Sequence, residues 1–425
     1  MPEANAASAV RDVSGDARIT RVREALALRG AVLGVLATRG EVAPEQRDIA
    51  MLRETSTEGW RLLLTAECCA LPLAARLRSS GIASSLPAET QRVLIEAQLA
   101  ETQRVMAARA QLRELDALAA ELGIEMIVLK GGAIVAESDR EPIDLGDIDL
   151  LVTSEAAALV WERLLRDGWR MKTAGGVAAT DAAPLAFNHF EPLLPPRDGV
   201  PVELHQRVDY ARGTAGRRAL ETRPLAGHRA LHRAIGEAAV LTALEHSVIQ
   251  HPHRRGHLRD LVLLADAMSE CAPAVREHID LSSGDPRYAP ELRDMLEQVR
   301  ALERGERPAD APSIRHAVAR KYLVMLGDDR RLRARVPHWW ELSHAALERA
   351  PLRRARYREM ARTGLTPIPA GSTFAAKTLA ARAPRLVGVV ARVLRAGYWA
   401  SVAALSIGTG PLLRRRVSAA LRRVD

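Results

Sequence analysis

The sequence predicts an α+β fold in which a small mixed β-sheet lies between an N-terminal and a C-terminal helical region. Three observations support this class. Alanine, leucine and arginine dominate while aromatic residues make up only 3% of the chain, which favours helix over sheet. Apolar residues recur at helical spacing before residue 122 and again from about residue 220. Between these regions lie short apolar or alternating segments that are typical of strands.

The chain divides into five predicted segments, because 425 residues exceed what one compact core usually holds. Residues 1–18 are small and polar and are expected to be disordered. The longest predicted helix spans Ala88–Leu122, with an apolar stripe along one face and Gly123 as its C-terminal cap. The other predicted segments are a helical region over 19–122, an α/β core over 123–210, a helical region over 211–362, and a linker with a basic amphipathic tail over 363–425.

The net charge of +9 belongs to the tail alone. Ten basic residues follow residue 375 and only Asp425 opposes them, so the rest of the chain carries equal numbers of basic and acidic residues. The high isoelectric point therefore does not predict a nucleic-acid-binding surface on the body of the protein.

The tail contains an uncharged stretch, Ala396–Leu413, that is interrupted by glycine, proline and hydroxyl residues. Three interpretations stay open: a membrane-spanning helix, a basic amphipathic segment at an anionic membrane surface, or a helix docked on the body or on a partner. The N-terminus does not resemble a signal peptide, and three cysteines without paired spacing suit a reducing compartment. We therefore expect a cytoplasmic protein, with a peripheral position at the inner membrane face as the alternative that the tail raises.

The segment Met126–Val152 is the centre of the predicted core. An apolar run, typical of a buried strand, is followed by Gly131 and Gly132, which allow a tight turn before a short helix. A second strand then carries Asp147 and Asp149, which are two residues apart and so emerge on one face. Two adjacent carboxylates repel each other unless a cation lies between them, and hard oxygen ligands suit Mg²⁺ or Mn²⁺. Nucleotide phosphates would supply further ligands.

A third acid, Glu203, lies on the alternating segment Pro201–Val208. Two-metal chemistry needs such an acid near the attacking hydroxyl, as a metal ligand or a general base. The backbone N–H groups of Gly131 and Gly132 could cradle a triphosphate. The alternative is that all three acids are ordinary solvent-facing strand residues, although aspartate is disfavoured in strands.

Four more side chains are candidates around these acids. Lys130 could reach a phosphate, or extend from a strand end as a surface lysine does. Arg140 could contact phosphate or brace the aspartates, and a surface salt bridge is the alternative. His205 shares the face of Glu203 and could orient that carboxylate or bind substrate, and a structural histidine is the alternative for it as for His189.

A histidine- and arginine-rich segment follows the predicted core. Three interpretations are open for it: a zinc site, a positively charged loop that contacts nucleotide or acceptor, or a solvated turn between helices. Its spacing matches no zinc pattern, and Pro252 and Gly256 predict a turn. Its members are His246, His251, His253, Arg254, Arg255, His257, Arg259 and Asp260.

The core motifs in order resemble the nucleotidyltransferase pattern of the DNA polymerase β superfamily. The motifs are Leu129-Lys130-Gly131-Gly132, then Asp147-Ile148-Asp149, and later Val202-Glu203-Leu204-His205. Over residues 55–270 the chain is similar to a bacterial family labelled uncharacterised nucleotidyltransferase. The resemblance implies nucleotidyl transfer from an NTP, with Asp147 and Asp149 as metal ligands and Glu203 as the third acid.

The leading interpretation is therefore a Mg²⁺-dependent nucleotidyltransferase that transfers a nucleoside monophosphate from an NTP to an acceptor and releases pyrophosphate. The acceptor is unidentified; a peptide, a protein, a sugar and another small molecule all fit. One alternative keeps the fold without the activity, as a toxin–antitoxin or regulatory binding module. Another, a scaffold at a membrane surface or on a partner, rests on the basic tail alone.

Overall fold

A computed structural model describes residues 3–38, 44–137, 142–171, 192–205, 221–250, 254–279, 281, 288–309 and 311–326. The predictions for Arg140, His189, His251, His253 and the tail lie outside these residues, as do those for the linker.

The described residues form one mixed sheet of seven strands in the order β3-β4-β5-β2-β1-β7-β6. Strand β1 is antiparallel to β2 and parallel to β7, and β2 is parallel to β5. Helices precede and follow the sheet, so the α+β prediction is confirmed. The strands are β1 Met126–Val128, β2 Ile148–Leu151, β3 Arg170–Met171, β4 Leu193–Leu194, β5 Val202–His205, β6 Glu221–Pro224 and β7 Leu231–Ile235.

The helices of the described residues fall into three groups along the chain. Five precede the sheet: α1 Glu3–Ala37, α2 Gln46–Glu54, α3 Thr57–Glu67, α4 Ala70–Ser79 and α5 Ala88–Leu122. Two lie between strands: α6 Gly131–Ala136 and α7 Ser154–Arg166. Five follow β7: α8 Gly236–Glu245, α9 Leu258–Ser269, α10 Pro273–Glu277, α11 Ala289–Glu303 and α12 Pro312–Leu326. A π-helical turn, His246–Gln250, continues α8.

Local signals set several of these boundaries, and the end of α5 lies where it was predicted. Helix α5 ends where Gly123 adopts a left-handed conformation with φ of 65°, which glycine tolerates without strain. The Thr153 hydroxyl accepts a hydrogen bond from the backbone N–H of Ala156 and so caps the start of α7. The apolar stripe of α5, including Leu112 and Leu115, is buried against the core.

The sheet core and the helical layers share one buried interior. In the two central strands, Met126, Val128, Ile148 and Leu150 are fully buried. Helices from both ends of the described chain pack together, since α1 contacts both α3 and α12. Burial of these apolar faces is the main stabilising contribution to such an arrangement.

Two predictions about the order of elements are corrected. The stretch from about residue 220, predicted to be helical, begins instead with the β6–β7 hairpin, so the sheet extends past residue 210 to Ile235. The Asp116 carboxylate on α5 accepts hydrogen bonds from the backbone N–H groups of residues 229, 230 and 231 and so holds the start of β7. Helix α1 begins at Glu3 and reaches into the segment predicted to be disordered.

No helix of the described residues combines the length and the apolar character needed to cross a membrane.

Candidate functional site

The turn between β1 and α6 brings the chain into an unusual backbone conformation. Lys130 has φ of 53° and ψ of −135°, and it shares a positive φ with Cys68 alone among the described non-glycine residues. Such a conformation costs free energy and persists where the surroundings enforce it, often at functional sites. The strained backbone therefore makes this turn a candidate part of a functional site.

The two glycines of the turn are buried and closely packed. A Cβ atom on Gly131 would lie 2.6 Å from Cδ2 of Leu145, and one on Gly132 would lie 2.8 Å from Cγ1 of Val128. A larger residue at either position would therefore force these side chains or α6 to shift. Close packing explains the glycines here, and the predicted phosphate cradle of their backbone N–H groups stays a prediction.

Strand pairing brings two of the predicted acids side by side. Strands β2 and β5 are parallel, and their register sets Asp149 opposite Glu203 and Leu151 opposite His205. Asp149 is nearly buried, with 5% of its side chain exposed, whereas Glu203 retains 18%. The register thus joins two motifs that are more than fifty residues apart in the chain.

Two cationic or hydrogen-bonding groups contact the Asp149 carboxylate. Oδ1 of Asp149 lies 3.0 Å from Nζ of Lys130 and 2.7 Å from Nε2 of His205. Burial by itself would raise the pKa of Asp149, but the Lys130 ammonium and the hydrogen bond with His205 outweigh burial and hold this pKa below its ordinary value. Asp149 is therefore an anion over the physiological pH range.

Asp149, Glu203 and His205 form a group that could hold a metal ion. One ligand atom from each lies within 4.8 Å of the others, and Glu203 Oε2 is 3.8 Å from His205 Nε2. Carboxylate oxygens suit Mg²⁺ and Mn²⁺, and the imidazole suits later transition metals. His205, predicted to orient a carboxylate or bind substrate, thus also stands among the potential metal ligands.

Asp147 lies beside this group but is not part of it. It immediately precedes β2 and lines a cleft together with Asp149, Lys130 and Gly131. The cleft encloses about 390 Å³, including its open mouth. The predicted trio of acids is therefore divided: Asp149 and Glu203 share a ligand group, and Asp147 faces the adjoining space.

The histidine- and arginine-rich segment supplies basic side chains, and Asp260, to the lining of the cleft. His246, in the π-helical turn, lies with Nδ1 2.9 Å from Nζ of Lys130, and Arg254 Nη1 is 3.4 Å from His246 Nε2. The guanidinium groups of Arg254 and Arg259 both reach about 4 Å from the Cβ position of Gly146. A π-helical turn is rare and is frequent at functional sites.

Other members of the histidine- and arginine-rich segment are buried away from the cleft. Arg255 lies over the ring of Tyr288, 5.7 Å from its centroid. His257 is buried near Glu67, and burial lowers its pKa well below the ordinary value. The described part of the segment is thus a packed turn with one basic face, which fits the charged-loop interpretation.

Asp144 and Ser247 line the cleft and Arg104 pairs with Asp144, and none of these three residues had an assigned role in the sequence-based site. Arg104 on α5 makes a two-pronged ion pair with Asp144, with distances of 2.7 and 3.1 Å. The Ser247 hydroxyl donates to Asp260, which also pairs with Arg259. These pairs join residues from distant segments or across a turn, and no local pattern in the sequence marks them.

The fold and the cleft together define a class: an α+β protein with a carboxylate–imidazole group beside a cleft lined by both acidic and basic side chains. Residues 63–262 match the family model described as uncharacterised nucleotidyltransferase. The match supports a nucleotidyltransferase family for this segment, and the resemblance of the sequence to the uncharacterised nucleotidyltransferase family is confirmed. The match contains the turn at Lys130, the Asp149–Glu203–His205 group and the basic side chains of the cleft. Among curated proteins, none matches this chain.

Proposed function

We propose that the protein transfers a nucleoside monophosphate from an NTP to an acceptor in a Mg²⁺-dependent reaction. The observation that carries this proposal is the Asp149–Glu203–His205 group, held beside a cleft with basic side chains within a nucleotidyltransferase family domain. An NTP·Mg²⁺ complex requires acidic side chains for the cation and basic side chains for the phosphates.

The donor set fits a divalent cation. Asp149 and Glu203 supply carboxylate oxygens, His205 supplies an imidazole nitrogen, and Asp147 adds a further carboxylate at the cleft. A bound Mg²⁺ or Mn²⁺ would neutralise charge on the phosphates and align them. The imidazole makes Mn²⁺ a good second choice.

The basic side chains of the cleft support a role in phosphate binding. Lys130 and Arg254 converge on His246 at the cleft, and both carry charges that suit the β- and γ-phosphates. Arg259 is already paired with Asp260, so its charge is partly neutralised. Lys130 would exchange Asp149 for a phosphate oxygen when the NTP·cation complex binds.

In the proposed reaction, an acceptor oxygen attacks the α-phosphorus and forms a new P–O bond. The bond from the α-phosphorus to the bridging oxygen breaks, and pyrophosphate leaves. Glu203, the more exposed of the two paired acids, receives the proton of the acceptor. Placement and charge neutralisation supply most of the rate enhancement, as in other phosphoryl transfers.

The proposal leaves the acceptor unspecified, and a peptide, a protein, a sugar or another small molecule would fit. Incubation of the protein with α-³²P-labelled NTPs and cell extract would identify which molecule gains label. The double variant Asp149→Asn, Glu203→Gln is the matched control, because it removes both charges and keeps both shapes. Label transfer that survives in this double variant would contradict the assignment of the site.

A nucleotide-binding module without transfer is the second candidate. The observation that favours it is the pairing of Asp149 with Lys130 and His205, which already neutralises the carboxylate. Under this interpretation the protein binds NTP, yet no labelled acceptor appears in any extract and no pyrophosphate is released.

A further inference from the structure

Helix α5 carries apolar side chains on the face that points away from the core. Ile95, Leu99 and Met106 are 53%, 59% and 54% exposed, whereas Leu115 of the same helix is fully buried. Spacings of four and seven residues set the three exposed side chains within about 40° of one another around the helix axis, and Leu115 lies opposite them. We call Ile95, Leu99 and Met106 the α5 ridge.

The α5 ridge stands out in the part of the chain that the structure describes. It holds three of the four large apolar side chains that are exposed there, and the fourth, Leu159, lies alone on α7. Single exposed apolar residues are normal on a protein surface, whereas several on one face indicate a contact surface. The ridge runs from Ile95 to Met106, which is about 16 Å along the helix axis. It is therefore a candidate docking surface.

The small size of the α5 ridge favours a partner that is tethered to it over a separate protein. A stable interface between separate proteins uses about 20–30 residues on each side, many more than the three of the ridge. A segment of the same chain needs less contact, because the tether raises its effective concentration near the ridge. We therefore looked for the partner in the chain itself.

Helix α12, the last helix of the described chain, leads toward α5. Lys321 and Tyr322 of α12 pair with Glu67 at the end of α3, at 2.6 and 2.8 Å. Three residues beyond Glu67, the backbone N–H of Ala70 donates to the Glu101 carboxylate of α5 at 3.0 Å. The ridge lies across one helix diameter, about 10 Å, from the face that holds Glu101. The chain therefore leaves α12 in the neighbourhood of α5.

An apolar segment follows α12 in the sequence, beyond the described residues. Val336, Trp339, Trp340 and Leu347 recur at three-, four- and seven-residue spacings, which predicts one apolar face of a helix. The thirteen residues from Leu326 to Trp339 span up to about 45 Å when extended, several times the distance across α5. The segment can therefore reach the ridge.

We propose that residues 336–347 dock as a helix on the α5 ridge and cover it with Trp339 and Trp340. Each partner presents large apolar side chains, and the removal of both surfaces from water stabilises the contact. The contact ties the chain beyond α12 to the N-terminal helical region. It is independent of the proposed nucleotidyl transfer, so either can fail without the other.

The first experiment places a photocrosslinking amino acid, p-benzoylphenylalanine, at position 99 of the full-length chain. The matched control carries it at position 100, because Ala100 is the next residue, is exposed, and points about 100° away around the helix axis. Dilute protein is irradiated, and mass spectrometry of its peptides maps the crosslinks. We expect position 99 to crosslink to residues 336–347 of the same chain several-fold more than position 100 does.

Three outcomes of the crosslinking experiment would overturn the inference. Crosslinks from position 99 between two chains, seen as a doubled mass on a denaturing gel, would assign the ridge to a second copy of the protein. Crosslinks to other segments of the same chain would assign it to those segments. Equal yields at positions 99 and 100 would show that nothing specific covers the ridge.

A second measurement uses limited digestion with trypsin, which cleaves after arginine. Arg335 directly precedes Val336, so a docked segment shields this bond. Leu99→Asp should raise the initial rate of cleavage after Arg335 about tenfold, because loss of apolar contact increases the undocked fraction. Leu99 is exposed, so its replacement leaves the core intact. Ala100→Asp is the control and should leave the rate unchanged, and equal rates in Leu99→Asp and the unmodified protein would contradict docking.

Discussion

Two buried clusters in this protein contain the same kinds of residue and do different things. In the cleft, Asp149 pairs with Lys130 and His205. In the helical layer, Glu67 on α3 pairs with Lys321 of α12 at 2.6 Å and lies near His257. In each cluster, a buried acid thus forms an ion pair with a lysine and has a histidine nearby.

The clusters differ in access and in how completely the acid is satisfied. Glu67 is fully buried and also accepts hydrogen bonds from the Tyr322 hydroxyl and the backbone N–H of Leu258, both at 2.8 Å. Asp149 lines an open cleft and has a second acid, Glu203, in register beside it. A saturated, enclosed carboxylate holds helices together, whereas the proposed function requires Asp149, which borders the cleft beside a second acid, to exchange its lysine for another cation.

The largest expected effect comes from a substitution that breaks the enclosed cluster around Glu67. Glu67→Gln should lower the free energy of unfolding by about 3–5 kcal/mol, because it leaves the Lys321 charge buried without a counter-ion. Urea denaturation would measure it. Glu121→Gln, which breaks the exposed pair with Arg163, is the control and should change little. A stability loss no larger than in that control would show that the enclosed cluster is not structural.

The enclosed cluster also predicts a pH dependence. Although burial opposes it, the positive charges of Lys321 and Arg29 lower the pKa of Glu67 from 4.5 to about 2. The folded state thus binds this proton less tightly than the unfolded chain does. The stabilising contribution of Glu67 is present above pH 4.5 and is lost as the pH falls toward 2.

The next largest effect concerns the cluster at the cleft, in which Asp149 pairs with Lys130 and His205. Asp149→Asn should weaken binding of the Mg²⁺·NTP complex by about 100-fold while changing the free energy of unfolding less than Glu67→Gln does. Calorimetric titration and urea denaturation on the same preparations measure both quantities. Asp147→Asn should weaken binding less, since Asp147 stands outside the ligand group. The reverse ranking of the two variants would move the metal site toward Asp147.

A third buried acid, Glu101 on α5, sharpens the comparison because no lysine among the described residues forms an ion pair with it. It accepts hydrogen bonds from the backbone N–H groups of Ala70 and Leu71 at the start of α4, and burial raises its pKa to about 7. The folded state therefore holds the Glu101 proton more tightly than the unfolded chain. Stability should fall by about 3 kcal/mol as the pH rises from 4.5 through 7.

The measurement for Glu101 is urea denaturation between pH 5 and pH 8. Glu101→Gln cannot ionise, so its stability should decline less over this range than that of the unmodified protein. Identical pH profiles of the two proteins would contradict the raised pKa.

The smallest expected effect separates two roles of Lys130. Lys130→Met should tighten binding of Mn²⁺ alone by several-fold, because the ammonium no longer competes for Asp149, and should weaken tripolyphosphate binding by about tenfold. Arg254→Met is the control. Because the partner of Arg254 is His246, this variant should weaken the binding of tripolyphosphate without tightening the binding of Mn²⁺. Electron paramagnetic resonance of Mn²⁺ gives the first quantity. Weaker Mn²⁺ binding in Lys130→Met would make Lys130 a structural support of the metal group.

Several features of this protein were determined by local sequence alone. The helix Ala88–Leu122 with Gly123 at its end, the strand before Lys130 and the strand that carries Glu203 all follow from periodicity and capping. The motif order also indicated the nucleotidyltransferase family, because the spacing of glycines and acids is a property of the chain itself. Periodicity and caps depend on neighbours a few residues away, and the sequence displays those directly.

Tertiary structure decided what depends on distant partners. The β6–β7 hairpin forms where helix was predicted, because β7 pairs with β1 and Asp116 of α5 holds its first backbone N–H groups. His205 joins Asp149 and Glu203 through the register of two strands, and His246 reaches Lys130 from a π-helical turn. Sheet register and side-chain contacts are set by packing between segments, some of which are more than a hundred residues apart. Residue types in the sequence therefore indicated which residues were candidates for the site, and the tertiary structure determined which of them lie together.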